Sequence, residues 1–199
     1  MLTAKLVTTE EELAAIAQLS AANLVTNLSD ETKEKEGFVT WVYPPDVLRV
    51  LHAIVPSVIV KDGDKLAGYA ITLTKECIPA YPPLAATAEY AATVSYKGRP
   101  LTDHRIYFMG QICVDLDYRG RGVVGMLYEF HRQQFSPLYD IFFTEISPSN
   151  PRSLKAHQKV GFRIIATHWE EGKPWDAVIW DWTEPQQRDS ALCAGGSAE

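Results

Sequence analysis

Ile106-Tyr-Phe-Met-Gly-Gln-Ile-Cys-Val114 runs into Asp-Leu-Asp-Tyr118 and then into Arg119-Gly-Arg-Gly-Val-Val-Gly125. The first nine residues read as an apolar strand, the next four as a short turn, and the last seven as a loop rich in glycine and arginine. After Gly122 the apolar residues Val123, Leu127 and Phe130 recur at helical spacing, and Pro137 limits that helix. A strand that delivers a glycine-rich loop to a helix N-terminus gathers several main-chain N–H groups at one point. The helix dipole adds partial positive charge there, and glycines let a ligand approach the backbone. Arg119 and Arg121 add full charges, so the stretch reads as an anion site, most simply for phosphates.

Downstream, Asp140-Ile-Phe-Phe-Thr-Glu-Ile146 reads as a buried strand. Asn150-Pro151 marks a helix start, with Asn as N-cap and Pro at the first helical position. Leu154, His157 and Val160 share one face of that helix, and Gly161 closes it. Phe162–Trp169 and Ala177–Trp182 read as strands joined through Glu171-Gly-Lys-Pro174, with Trp175, Trp180 and Trp182 expected in sheet and core packing.

Upstream, Lys5-Leu-Val7 is a short strand. Thr9 with Glu12 forms a capping-box pattern ahead of Leu13, Ile16 and Leu19, which predicts a helix over Glu10–Leu24. The charged run Glu31–Glu36 reads as a solvated loop or helix face. Gly37–Tyr43 is aromatic and ends at Pro44-Pro45, and Asp46 is expected to cap a helix over Val47–Ile54. Ser57–Val60 and Leu66–Leu73 form a hairpin around Asp62-Gly63. Cys77–Pro100 is irregular, with a short helix near Leu84–Tyr90, and is expected to shape a pocket.

The 199 residues suit one domain over 1–185, with a mobile tail over 186–199. No apolar run is long enough to cross a bilayer, and the first residues lack a signal peptide's apolar core, so a cytoplasmic location without membrane partners is expected. Cys77, Cys113 and Cys193 lie far apart without metal-ligand spacing, so no metal is expected. A formal charge of −6 disfavours nucleic acid as a partner.

Gly120-x-Gly122-x-x-Gly125 also matches the dinucleotide fingerprint, with Glu145 twenty residues on. Its context does not fit. Asp115–Arg119 intervene between strand and first glycine, and too few elements follow for a complete dinucleotide domain.

Val114-Asp-x-Asp-Tyr118-Arg119-Gly-Arg-Gly122-Val-Val-Gly125 resembles the acyl-CoA signature of the GNAT superfamily of N-acyltransferases, written Arg/Gln-x-x-Gly-x-Gly/Ala. Asn150-x-x-Ser153…His157-Gln-Lys-Val-Gly161-Phe162 resembles the family's second motif. The resemblance covers most of residues 1–182. It implies an α/β fold with a mixed, centrally splayed β-sheet flanked by helices. It also implies acetyl-CoA as co-substrate and an amine acceptor as partner; a homodimer stays open.

By the same resemblance, Arg119, Gly120, Arg121, Gly122, Val123, Val124 and Gly125 would wrap the coenzyme's pyrophosphate. Ile112, Cys113 and Val114 would pair with its pantetheine arm like an added strand, with the Val114 N–H polarising the thioester carbonyl. Asn150 and Ser153 would touch the pantetheine or phosphate portion. Val124 stands where the signature prefers Gly or Ala, with Gly125 expected to absorb the turn. His157 stands where many members carry a tyrosine, and Phe108 where some carry a glutamate.

Acyl transfer to an amine needs a neutral nitrogen, a polarised carbonyl and a proton for the departing thiolate. Glu145 is the candidate base, at the end of its strand, against the plainer reading of a charged residue at an open strand end. His157 is the candidate acid as an imidazolium, against a hydrogen-bonded histidine on a half-buried helix. Cys113 reads as a small buried hydrophobe rather than a nucleophile. The expected activity is direct acetyl transfer to a primary amine without an acyl-enzyme. A catalytically silent acyl-CoA-binding module of the same fold is the alternative, and a dinucleotide-binding oxidoreductase comes third.

Overall fold

The computed structural model describes residues 1–27, 29 and 38–184. Strand β1 (Leu2–Leu6) leads into helix α1 (Glu10–Ala22), followed by α2 (Pro45–Ile54) and the hairpin β2 (Val58–Asp62) and β3 (Lys65–Leu73). Helix α3 (Leu84–Thr93) and a two-residue ladder, β4 (Ser95–Tyr96) with β5 (Arg99–Pro100), precede the long strand β6 (Ile106–Val114). Then come α4 (Val123–Phe135), β7 (Ile141–Ile146), α5 (Pro151–Val160), β8 (Arg163–Glu170) and β9 (Lys173–Asp181). The strands form one mixed sheet in the order β1-β2-β3-β6-β7-β9-β8, and within it only β6 and β7 run parallel.

The sheet splays at that parallel pair. Strands β6 and β7 keep register only over Ile106–Phe108 against Ile141–Phe143, although β6 runs on to Val114. Beyond the fork each strand stays paired on its outer side, β6 with β3 and β7 with β9. The Thr144 hydroxyl donates to the Met109 carbonyl at 3.2 Å, replacing a ladder bond where the strands part. Gly110 is skipped in the β3–β6 register, a bulge that bends the strand there. A Cβ on Gly110 would run into the Tyr43 hydroxyl and Leu73, so the close approach at the fork requires glycine.

Strand β3 is buried from Ala67 through Leu73 without alternation, so both faces of the sheet are covered there. Helices α1 and α4 both pack on it. The core continues through Tyr107, Tyr128, Phe142 and Phe162, whose rings meet between β6, α4 and β7, while Phe143 packs edge-on against Phe108.

Local chemistry explains most boundaries. Thr9 accepts from the Glu12 N–H and starts α1. The helix ends at Ala22 rather than Leu24, because the chain there turns to pair with Val39. Val25 N donates to Val39 O, and Val39 N donates to Asn23 O. Asp46 does not cap α2: it lies inside the first turn, and Pro44 is the cap without a side-chain bond. The short helix predicted at Leu84–Tyr90 extends to Thr93. Gly63 takes φ +59° in the hairpin turn, as a Gly in that connection should. Glu31–Glu36, Gly37 and the tail from Gln186 lie outside the described residues.

Candidate active site

The fork opens into three abutting hollows of about 550, 690 and 820 Å³ that share walls along β6 and β7. The first is bounded by Ile112, Cys113, Val114, Arg119, Val124, Asn150, Ser153 and His157. The motif residues from the end of β6 and the start of α5 are therefore brought together at one cleft. The middle hollow shares Ile112, Asn150, Ser153 and His157 with it and reaches Glu145. The third begins at Glu145 and is walled by Tyr43, Tyr81, Phe108, Trp175 and Glu170.

Strand alternation decides which main-chain groups face the cleft. The Asp115 N–H donates to Ala67 O across the β3 edge at 3.0 Å, and a Cβ on Gly68 of β3 would meet the Cys113 carbonyl. Cys113 and Asp115 therefore direct their peptide groups toward β3. The peptide groups of Ile112 and Val114 point to the opposite, open edge. The Val114 carbonyl there accepts from Arg119 Nε at 3.1 Å, which agrees with this orientation.

At the loop, Gly120 and Gly122 adopt φ +74° and +79°, left-handed conformations that bend the chain into α4. Gly125 does not absorb the turn, as it lies inside the helix without a positive φ. Gly122 is the N-cap and no side chain caps the helix, so the cap leaves the first-turn N–H groups to other partners. Val123 turns inward, 2% exposed, and Val124 lines the cleft, so the branched side chain at the signature's small position is accommodated.

The two arginines diverge. Arg119 borders the cleft and also donates to Asn23 Oδ1 at 2.7 Å, tying the loop to the end of α1. Arg121 lies over the Tyr118 ring, 4.9 Å from its centroid, and is not among the residues that bound the cleft. A cation that the motif did not single out, Arg152, does line it. Asn150 uses both ends of its amide within the protein: Oδ1 accepts from the Ser153 N–H, and Nδ2 donates to the Phe38 carbonyl.

Burial corrects the expectation of an imidazolium at His157. The ring is 1% exposed, and its loss of water pushes its pKa down to about 4. Nδ1–H donates to the Ser153 carbonyl at 2.7 Å, and Nε2 accepts from the Tyr128 hydroxyl. The ring is neutral at pH 7, with both nitrogens engaged. Cys113 is buried and its thiol is pushed up to about 12, mainly by desolvation, which suits a hydrophobe rather than a nucleophile.

Glu145 borders both the middle and third hollows. Burial is the largest influence on its carboxyl and raises its pKa to about 7. Thr87, whose hydroxyl donates to Oε2 at 2.9 Å, works against that rise, and the charge of Glu170 adds to it. His168 Nε2 lies 3.2 Å from Oε1, close enough for an ion pair. The pair does not align as a hydrogen bond, since Oε1 is left without one. Trp175 lines the cavity instead of only packing the sheet, whereas Trp180 belongs to the core.

Gln111 is a residue that motif reading missed. Its side-chain oxygen accepts from Ser20 (2.9 Å) and Tyr69, and its Nε2 donates to the Trp41 carbonyl. It pins the 38–43 segment over the fork. Only its place on β6 hinted at such a role.

Among the described residues no group of three or more His, Cys, Asp or Glu is arranged to hold a metal, and no helix is long and apolar enough to cross a membrane. A search of curated proteins gave no match. Several solved structures share the fold. The ribosomal-protein-S18-alanine N-acetyltransferase from Escherichia coli is 14% identical with TM-score 0.56, over 90% of this chain and 91% of its own. A Salmonella typhimurium protein solved with its cofactor acetyl-CoA is 14% identical with TM-score 0.58, over 95% and 98%. An N-acetyltransferase from Staphylococcus aureus is 16% identical with TM-score 0.58, over 92% and 99%. At such identities the likeness speaks for the fold alone. The family model described as the acetyltransferase (GNAT) family matches residues 28–162, more than half of the chain, and with the splayed sheet and glycine loop in place the chain belongs to the GNAT family of acetyltransferases.

Proposed function

We propose that this protein transfers an acetyl group from acetyl-CoA to a primary amine by direct attack. The observation that carries the reading is the open edge of β6, where the Ile112 and Val114 peptide groups face a cleft continuous with the Glu145 cavity. Such an edge accepts an extended pantetheine arm as it would a strand. The glycine loop and the uncapped start of α4 supply N–H donors for a diphosphate. The Val114 N–H is assigned to polarise the thioester carbonyl.

Glu145 is assigned as the base. An alkylammonium of pKa ~10 must lose a proton before it attacks, and a carboxyl near 7 is poised to take one at neutral pH. The new C–N bond forms as the C–S bond breaks. Of the two protons that the ammonium loses overall, one is released through Glu145 and one ends on the coenzyme sulfur. His157 is assigned to hold the start of α5 against α4 as a neutral ring, not to donate that second proton.

Thiol release from acetyl-CoA in the presence of a panel of amines tests the proposal. A silent acyl-CoA-binding module would bind the coenzyme and release no thiol with any amine. Thermal stabilisation by NAD and not by acetyl-CoA would favour the dinucleotide alternative.

A further inference from the structure

The third hollow carries information about the acceptor that the family does not. Two of its sides are aromatic: Tyr43 and Tyr81, with ring centroids 4.9 Å apart, and Trp175. Glu145 lines both this hollow and the middle one, and Glu170 on the wall of this one is solvent-exposed. No Lys, Arg or His is among the described residues that line it; His168, 3.2 Å from Glu145 Oε1, borders a neighbouring hollow instead. The Glu170 charge reaches Glu145 and makes ionisation of that carboxyl harder. Two carboxylates that repel each other across one aromatic-walled space are relieved by a ligand with positive charge at both ends, whereas an anionic acceptor would add to the repulsion.

We infer that the acceptor is a compact diamine, with its reacting nitrogen at Glu145 and its second, protonated nitrogen held by Glu170 between the aromatic walls. The inference rests on the acetyl-transfer reading and deepens it. An amino acid whose carboxylate lies near its reacting amine would set that carboxylate against Glu145 or Glu170, with no cation on the cavity wall to receive it. A simple monoamine would fit the walls and leave Glu170 unused.

Three acceptors of matched length separate these cases: 1,5-diaminopentane, 1-aminopentane and 5-aminopentanoate. With the full chain and acetyl-CoA, kcat/KM is expected to be about fivefold to tenfold higher for the diamine than for the monoamine, as one partly exposed charge pair allows. 5-Aminopentanoate should be the slowest of the three. Glu170→Gln should collapse the diamine-to-monoamine ratio toward one, chiefly through KM for the diamine. Equal rates for diamine and monoamine, a preference for 5-aminopentanoate, or an unchanged ratio in Glu170→Gln would each overturn the inference while leaving acetyl transfer standing. If no amine releases thiol, acetyl transfer fails. Calorimetry of 1,5-diaminopentane binding then decides the inference separately: binding weakened by Glu170→Gln supports it, and no binding or equal binding overturns it.

Discussion

The Tyr128 hydroxyl donates to His157 Nε2 beneath the cleft, joining α4 to α5 through two side chains that are both almost wholly buried. An imidazole so enclosed stays neutral in the fold, with its pKa near 4, but titrates near 6.5 once the chain unfolds. A depressed histidine contributes stability above 6.5 that is lost as pH falls through 4. His131, fully buried and pushed down to about 3, acts in the same direction. Glu145, raised to about 7, acts oppositely: its contribution is present below 4.5 and lost as pH rises through 7. For His157 alone, the stability lost between pH 7 and pH 5 is about 2 kcal/mol. Urea unfolding of His157→Gln at both pH values should show a pH-dependent loss smaller by about that amount, and an unchanged loss would mean the ring is not held neutral.

On the proposed reading, Glu145 as the base gives the rate its pH dependence. A base near 7 must be ionised to accept the ammonium proton, so kcat/KM should rise through a limb near pH 7. Glu145→Gln should lower kcat/KM by about 10²–10⁴ and abolish that limb. Retention of the limb in the variant would assign it to another group.

The glycine loop makes two substitutions behave in opposite ways. Gly122→Ala puts a Cβ on a residue at φ +79° and should cost about 1–2 kcal/mol in thermal unfolding. Gly125→Ala meets open space in a helical conformation and should stabilise by about 1 kcal/mol. Calorimetry with acetyl-CoA should nevertheless show weaker binding for Gly125→Ala, since its methyl group intrudes where the coenzyme is expected to approach. Unchanged affinity would move the diphosphate seat away from α4.

Gln111→Leu leaves Ser20, Tyr69 and the Trp41 carbonyl without their shared partner. Chemical denaturation should show a loss of about 1–3 kcal/mol. The KM for the amine should rise as the strap over the fork loosens. A change in stability with no change in that KM would make Gln111 purely structural.

Motif reading located the strand, loop and helix that border the cleft because each depends on local chemistry: an apolar run, two glycines at positive φ, and Asn150 before Pro151. It placed the β6–β7 fork only through the family resemblance, since a missing ladder is a relation between strands and leaves no trace in either one. The protonation of His157 was hidden for a related reason. An imidazole's charge follows from burial, and burial here is set by Tyr128 of α4 and by Phe162 in the turn after α5. Arg121 and Arg119 look alike in sequence, yet one stacks on Tyr118 while the other reaches Val114 and Asn23. Of the wall formed by Tyr43, Tyr81 and Trp175, the segments carrying the two tyrosines were legible as pocket-shaping from their aromatic and irregular sequence, whereas Trp175 read only as sheet and core packing.

The parting of β6 from β7 also bears on how such a protein can change over time. On the proposed reading, the coenzyme's arm is gripped by peptide groups, which every residue except proline provides equally. Substitution along that strand alters packing but leaves the grip in place, so a lineage can exchange nearly all its side chains and keep its acyl donor. Acceptor choice has no such protection, because it rests on individual side chains around Glu145, and it is there that descendants of one ancestor would diverge first.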